Sequence, residues 1–515
     1  MQNSYSKNYL KIYFFQILSI ILGFTSLFVV VPFLSEDKTT FGIYSVCISI
    51  TIFLSYADLG FLGAGMKYAA ESFSKNDREE EIKIVGFTHF VLLVFLLLIS
   101  SVFLYLSFNP HILIKGIVTD NDKYTASSLL LILAVFSPTI LFQRVLQMIY
   151  GIRLKEFILQ KINIIGNVFK ILSVFYFFGD GKYDIVHYFL FIQLVTLICA
   201  ITGIVRAKKI FKYDFILLLK NFKPSKIIFS KTKSLAFSSL FITFSWILYY
   251  ELDQFVIGKF LGANEVAIFA IGLTLLGFFR SLFGVFFAPF SARFNHFIGK
   301  GQLKELKKFY AHILIIALPI VVFPILGIVF FAKAIIISWV GVEYETSIII
   351  VQWLVACNIL GFISYPTGML LVAQKMIKEM YIISFLMPVI YWVGIYTTVK
   401  ILGIESFAVF KFAVFFISGL AYLWFSLRFL NVSLLSFVKS NLISYLPAII
   451  LLVAALLLTN DLFINGKNKI NLLLNMVIMG GSVLLSFAVC LVFVKPLREY
   501  LVKMFHVIRP SKNEI

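Results

Sequence analysis

Five polar side chains, Glu156, Gln160, Asn163, Asn167 and Lys170, follow one another at spacings of 4, 3, 4 and 3. On a helix that spacing places all five on one face. Just upstream, Gln143, Arg144 and Gln147 are neighbours at i+3 and i+4. An arginine offers a bidentate fork to an anion and a lysine offers a point charge. Carboxamides pair with hydroxyls as both donor and acceptor. The set therefore suits a polar ligand carrying negative charge and hydroxyls. Read without a ligand, the same residues form an interhelical hydrogen-bond seam. Arg280 is a third basic candidate. Asp58, Glu251 and Asp253 are the acidic ones, suited to a coupling proton or cation, or else to pairing with a basic neighbour or facing outer water. Glu251 and Asp253 are two residues apart and so do not share a helical face.

The elements that must position these residues are transmembrane helices. The 515 residues are 61% hydrophobic and 14% charged, against about 25% charged in soluble domains. Fourteen apolar segments recur at 12–34, 41–66, 84–108, 125–150, 157–178, 185–204, 235–257, 266–290, 309–332, 346–373, 381–399, 406–427, 440–459 and 470–494. Each is long enough to cross a hydrocarbon core of roughly 30 Å. They must be helices, because backbone in lipid satisfies its own hydrogen bonds, and the short alternating segments of a barrel are missing. The first is too long for a signal-peptide core and has no small-residue cleavage site after it, so it is expected to be retained.

The net charge of +20 is a matter of topology rather than of nucleic-acid binding. With the amino terminus inside, 31 of the 45 Lys and Arg fall in inner segments and 9 in outer ones. That asymmetry sets both termini in the cytoplasm. The remaining five basic residues lie within spans. Lys161 and Lys411 are near span ends, where snorkelling accounts for them. Arg144, Lys170 and Arg280 are deeper, and an ionisable group there is a functional hypothesis by default. Cys47, Cys199, Cys357 and Cys490 are expected to pack as small apolar residues. The six histidines show no ligand spacing, so neither metal nor cofactor is expected.

The longest inner loop, 205–233, carries nine Lys and Arg interleaved with Phe and Leu, the composition of a basic amphipathic segment on an anionic leaflet or of a partner-docking site. It divides the chain into a six-helix lobe (1–204), a basic linker (205–234), a second six-helix lobe (235–427) and a two-helix appendage with a basic tail (428–515). Weak echoes at an offset near 226 pair Phe33-Leu34 and Phe41-Gly42-Ile43-Tyr44 with Phe260-Leu261-Gly262 and Ala267-Ile268-Phe269. Both halves start on the inner side. The expected architecture is thus two parallel lobes around a central cavity, a common transporter plan.

At Phe41-Gly42-Ile43-Tyr44, Ala57-Asp58-Leu59-Gly60, Asp253 to Gly262, Pro289 and Arg293, the sequence resembles the polysaccharide transporter branch of the multidrug/oligosaccharidyl-lipid/polysaccharide superfamily. Within that branch it resembles the Wzx-type O-antigen flippases. Ala267 and Phe269 depart from the Gly and Tyr more usual there. The resemblance implies a flippase, not an enzyme, in the bacterial cytoplasmic membrane. Its cargo would be a polyprenyl-pyrophosphate-linked oligosaccharide unit for O-antigen, capsule or exopolysaccharide, moved by alternating access. Its partners would be that glycan lipid, the bilayer and the polymerase or assembly proteins of the pathway. On this reading Arg144, Gln147, Asn163, Asn167, Lys170 and Arg280 hold the headgroup. A multidrug cation antiporter would want carboxylates in its first spans, and 12–34 has none. A peptidoglycan-precursor flippase is a close cousin. A membrane glycosyltransferase or polymerase would need a larger polar outer loop than 109–124.

Overall fold

A computed structural model describes residues 2–499 apart from 56–57, 375 and 459–465; among the described residues every regular element is helical. The chain divides into two compact units, Met1–Ala270 and Ile271–Ile515. Unit 1 runs through α1 (Gln2–Leu34), α2 (Lys38–Ser55), α3 (Phe61–Ser74), α4 (Arg78–Phe108), α5 (Asp120–Phe136) and α6 (Pro138–Ile152). It continues with α7 (Glu156–Phe177), α8 (Ile185–Phe211), α9 (Phe215–Lys220), α10 (Lys226–Trp246), α11 (Asp253–Phe260) and the start of α12 (Ala263–Gly299). Unit 2 takes the rest of α12, then α13 (Leu303–Trp339), α14 (Ser347–Ala356), α15 (Gly361–Ala373), α16 (Ile377–Leu402) and α17 (Glu405–Leu430). It closes with α18 (Leu434–Asn441), α19 (Leu446–Leu458) and α20 (Lys469–Phe493).

Among the described residues ten helices are long and apolar enough to cross a membrane, and twelve spans result if two bent pairs, α5/α6 and α14/α15, each count once; both pairs bend by 43°. The two remaining expected spans are interrupted. The 41–66 segment breaks between α2 and α3, where Leu59 and Gly60 take φ of 48° and 78°. Asp58 restarts the chain: its carbonyl accepts from Phe61 N (2.8 Å) and its carboxylate from Leu62 N (2.9 Å). Ala57 of the same motif lies outside the described residues. The 235–257 segment is broken by a π-helical turn over Ile247–Glu251 before α11, a feature common where a helix must re-aim its side chains.

Carboxylates left outside the apolar runs are placed at helix starts, where they satisfy orphan N–H groups and the positive end of the dipole. Asp77 caps α4, Asp184 caps α8, Asp214 caps α9, and Thr119 with Asp122 forms a capping box on α5. The 205–234 segment, expected as a linker, is folded within unit 1 as the end of α8, all of α9 and the start of α10. It is fastened to α4 by Arg78, which donates to the Phe211 carbonyl (2.7 Å), by the Phe90–Phe222 ring pair and by Lys231 beside Glu80 (3.5 Å).

In unit 2, α13 forms the buried spine, with Pro319 and Pro324 inside it. The carboxy-terminal helices pack on it. Tyr445 donates to the Ile315 carbonyl, Asn475 reaches the Ala334 carbonyl and Ser338 Oγ, and Gly327 lets Met479 and Val483 approach. Lys411, expected to snorkel from a span end, is instead fully buried, its Nζ 5.5 Å from the Tyr391 ring centre. Tyr391 belongs to the neighbouring α16.

Candidate functional site

In unit 1, a pocket of about 380 Å³ opens between α1, α6, α7 and α8. Its polar lining is Gln16 from α1, Gln143 and Gln147 from α6, and Glu156, Gln160 and Asn163 from α7. Five carboxamides and one carboxylate thus converge. The α7 contribution follows from its 4-3 spacing, which turns three polar side chains to one face of an otherwise apolar helix. Among the described residues no Lys or Arg forms an ion pair with Glu156. The lining is therefore rich in groups that both donate and accept, the chemistry that suits hydroxyls.

Arg144 lies one turn from this lining, where its guanidinium donates to the Gln147 carboxamide oxygen (3.0 Å). It also stands close enough to Asp58 and to His89 for its charge to act on both. His89 is fully buried on α4, with Nδ1 2.6 Å from the Val85 carbonyl. Sequence gave no reason to join it to Arg144, 55 positions away. The connection exists because α4 packs on α6.

The other expected site residues are dispersed. Asn167 and Lys170 share the α7 face in sequence but do not line the pocket. Lys170 donates to Thr196 Oγ1 on α8 (2.7 Å). Within one turn beyond Asn163, α8 approaches α7 closely: a Cβ on Gly166 would lie 2.5 Å from Cys199 Sγ. Lys170 thus makes an interhelical hydrogen bond, while Gln147 and Asn163 line the pocket. Glu251 ends the π turn, and Asp253 is buried in the first turn of α11. Arg280 lies on α12 in unit 2, with its charge acting on Tyr365, a ring stacked on Phe287 (centroids 5.4 Å apart).

A buried ion pair is the largest feature that residue spacing did not reveal. Glu81 and Arg153, with side chains 0% and 5% exposed, meet at 2.8 Å near the inner end of unit 1. Arg153 NH2 donates to Glu81 Oε2 (3.0 Å). The rings of Phe73, Phe211 and Tyr213 surround the guanidinium at 4.6, 5.4 and 5.3 Å. Burial pushes the Tyr213 hydroxyl above its usual range.

No family model and no curated protein matches the sequence. Solved structures do. The chain is similar to the lipid II flippase MurJ in an inward closed conformation, with TM-score 0.67 and 15% identity over 94% of this chain and 98% of that one. It is similar to an inward-facing multidrug resistance MATE family transporter of the MOP superfamily, with TM-score 0.65 and 14% identity over 81% and 98%. A MOP superfamily transporter from Pyrococcus furiosus gives TM-score 0.59 and 13% identity over 82% and 96%. At these identities the likeness is one of fold: this is a multi-pass membrane protein with the architecture of MOP transporters.

Proposed function

We propose that the protein is a flippase that carries a polyprenyl-pyrophosphate-linked oligosaccharide from the inner to the outer leaflet of the cytoplasmic membrane, for surface polysaccharide. The observation that carries this reading is the pocket of five carboxamides beside Arg144. A sugar headgroup cannot cross hydrocarbon unpaired, since each bare polar group costs several kcal/mol. Carboxamides replace water around hydroxyls, and a guanidinium matches a phosphate oxygen pair. The likeness in fold to a lipid II flippase supports a lipid-linked cargo. The resemblance of the motifs to Wzx-type flippases favours oligosaccharide repeat units as the cargo.

A second reading, export of an organic cation, is favoured by one observation. Glu156 brings a carboxylate into the pocket that no described Lys or Arg neutralises. The two readings separate in one experiment. Gln147→Ala and Asn163→Ala are expressed in cells lacking their own flippase, and surface glycan and cation efflux are both measured per inserted molecule. The flippase reading expects glycan to fall severalfold. Unchanged glycan with reduced efflux selects the second reading.

A further inference from the structure

The carboxy-terminal end of α7 and the first three turns of α8 enclose an open groove of about 610 Å³. Positive-inside topology puts this end outward, and the loop between the helices is pinned there by Tyr183, which donates to the Leu34 carbonyl at the outer end of α1 (2.7 Å). The groove is polar at its mouth and apolar below. Lys182, Asp184 and His187 stand at the mouth, and Leu190, Phe191 and Leu194 form the wall beneath. Residues 187, 190, 191 and 194 lie on one face of α8, so the wall descends roughly 10 Å into the hydrocarbon.

The charges at the mouth are unequal. Asp184 is engaged twice: it accepts from the His187 backbone N–H (3.1 Å) and meets His187 Nδ1 at 2.8 Å. Among the described residues Lys182 has no carboxylate partner, and its ammonium lies 5.8 Å from the Tyr176 ring centre. The free donor is therefore an exposed ammonium at headgroup depth, with the outer edge of His187 beside it. Below it is a slot that water cannot solvate favourably.

We propose that this groove binds an anionic glycerophospholipid of the outer leaflet, with its phosphodiester on Lys182 and an acyl chain along Leu190, Phe191 and Leu194. One unpaired ammonium matches a monoanionic phosphodiester, and the apolar wall begins where the headgroup ends. A free anion would gain nothing from that wall. The site is separate from the carboxamide pocket and does not depend on the cargo that pocket carries.

The test uses the purified full chain, delipidated in mild detergent and titrated with phosphatidylglycerol or phosphatidylcholine, with retained lipid counted by native mass spectrometry. Phosphatidylglycerol is expected to be retained in preference to phosphatidylcholine. Lys182→Gln should lower its retention about fivefold, the effect of one basic residue at a lipid surface. Leu194→Asn should weaken retention of both lipids. Lys123→Gln, which removes an exposed lysine of another outer segment, should change nothing. The proposal is overturned by equal retention of the two lipids, by Lys182→Gln binding like the parent, or by Lys123→Gln losing as much. Displacement of phosphatidylglycerol by millimolar inorganic phosphate would reduce the site to a simple anion site and overturn it as well.

Discussion

Removing either partner of the Glu81–Arg153 pair should destabilise unit 1 more than any surface substitution. In Arg153→Ala the Glu81 carboxylate stays fully buried and loses both its countercharge and its aligned donor at 3.0 Å. Breaking one partner of a buried pair costs about 3–5 kcal/mol. The three rings around the guanidinium add a packing loss in the same direction. For a unit of this size each kcal/mol corresponds to about 2 °C in midpoint, so a fall of about 6–10 °C is expected. The assay is the monodisperse fraction surviving heat steps, read by fluorescence-detected gel filtration in detergent. Arg153→Lys keeps the charge and loses the fork, and should fall between the two. The double variant Glu81→Gln with Arg153→Met removes both charges and should recover more than half of the loss, as a coupled pair must. Single variants shifting by less than about 2 °C, or a double variant whose loss is the sum of the singles, would refute the reasoning.

Gly42→Ala should prevent a stable fold, because its Cβ would clash with the Ala263 carbonyl oxygen; the loss of a monodisperse peak checks this, and a normal peak would show that α2 and α12 are not in register. Asp58→Ala should cost about 1 kcal/mol as a lost helix cap, while Asp58→Asn keeps an acceptor for Leu62 N and should keep thermal stability near that of the parent. If Asp58→Asn still abolishes transport, the charge itself is used; if both variants transport normally, Asp58 is a cap alone. Lys170→Ala removes only its bond to Thr196 and should leave surface glycan per inserted molecule close to that of the parent, whereas Gln147→Ala should lower it. Reporter fusions should place 67–83, 205–233 and 291–308 inside and 109–124 outside, and an outer 205–233 would invert the positive-inside argument.

What the sequence made legible follows from the range of the interaction that fixes it. The apolar segments could be read because each is a continuous property of about 20 neighbouring residues. The break at Asp58-Leu59-Gly60 left a glycine and a capping carboxylate in the sequence. The break at Ile247–Glu251 left neither, since a π turn in Ile-Leu-Tyr-Tyr-Glu needs no special residue. Glu156, Gln160 and Asn163 were found by period, but the same period continued to Asn167 and Lys170 past the point where Gly166 admits α8. Gln16 joins the pocket from 127 positions upstream of Gln143, and nothing in its own neighbourhood marks it. Glu81 and Arg153 sit in charged segments where solvation is the default expectation, and tertiary packing, with the rings of Phe73, Phe211 and Tyr213 around the guanidinium, takes them out of water. Lys411 was misplaced for the same reason, because depth along a helix says nothing about which side a neighbour covers.

In unit 1 the described motif residues that carry the family resemblance lie apart from the carboxamide pocket. Gly42 admits the Ala263 carbonyl, Gly258 admits Val46, and Gly262 takes a φ of 108° beside the Lys115 carbonyl. Thr39 Oγ1 donates to Asn264 Oδ1 (2.9 Å), and Lys115 N donates to the Gly258 carbonyl (2.8 Å). These contacts lock α2, the 109–119 loop and α11 at the outer end, and their glycines are there because a Cβ would hold the backbones apart. None of them lines the carboxamide pocket, which draws on Gln16, Gln143, Gln147, Glu156, Gln160 and Asn163. These motif residues therefore set how the helices of unit 1 meet, while the carboxamide pocket is built on other faces, of α1, α6, α7 and α8.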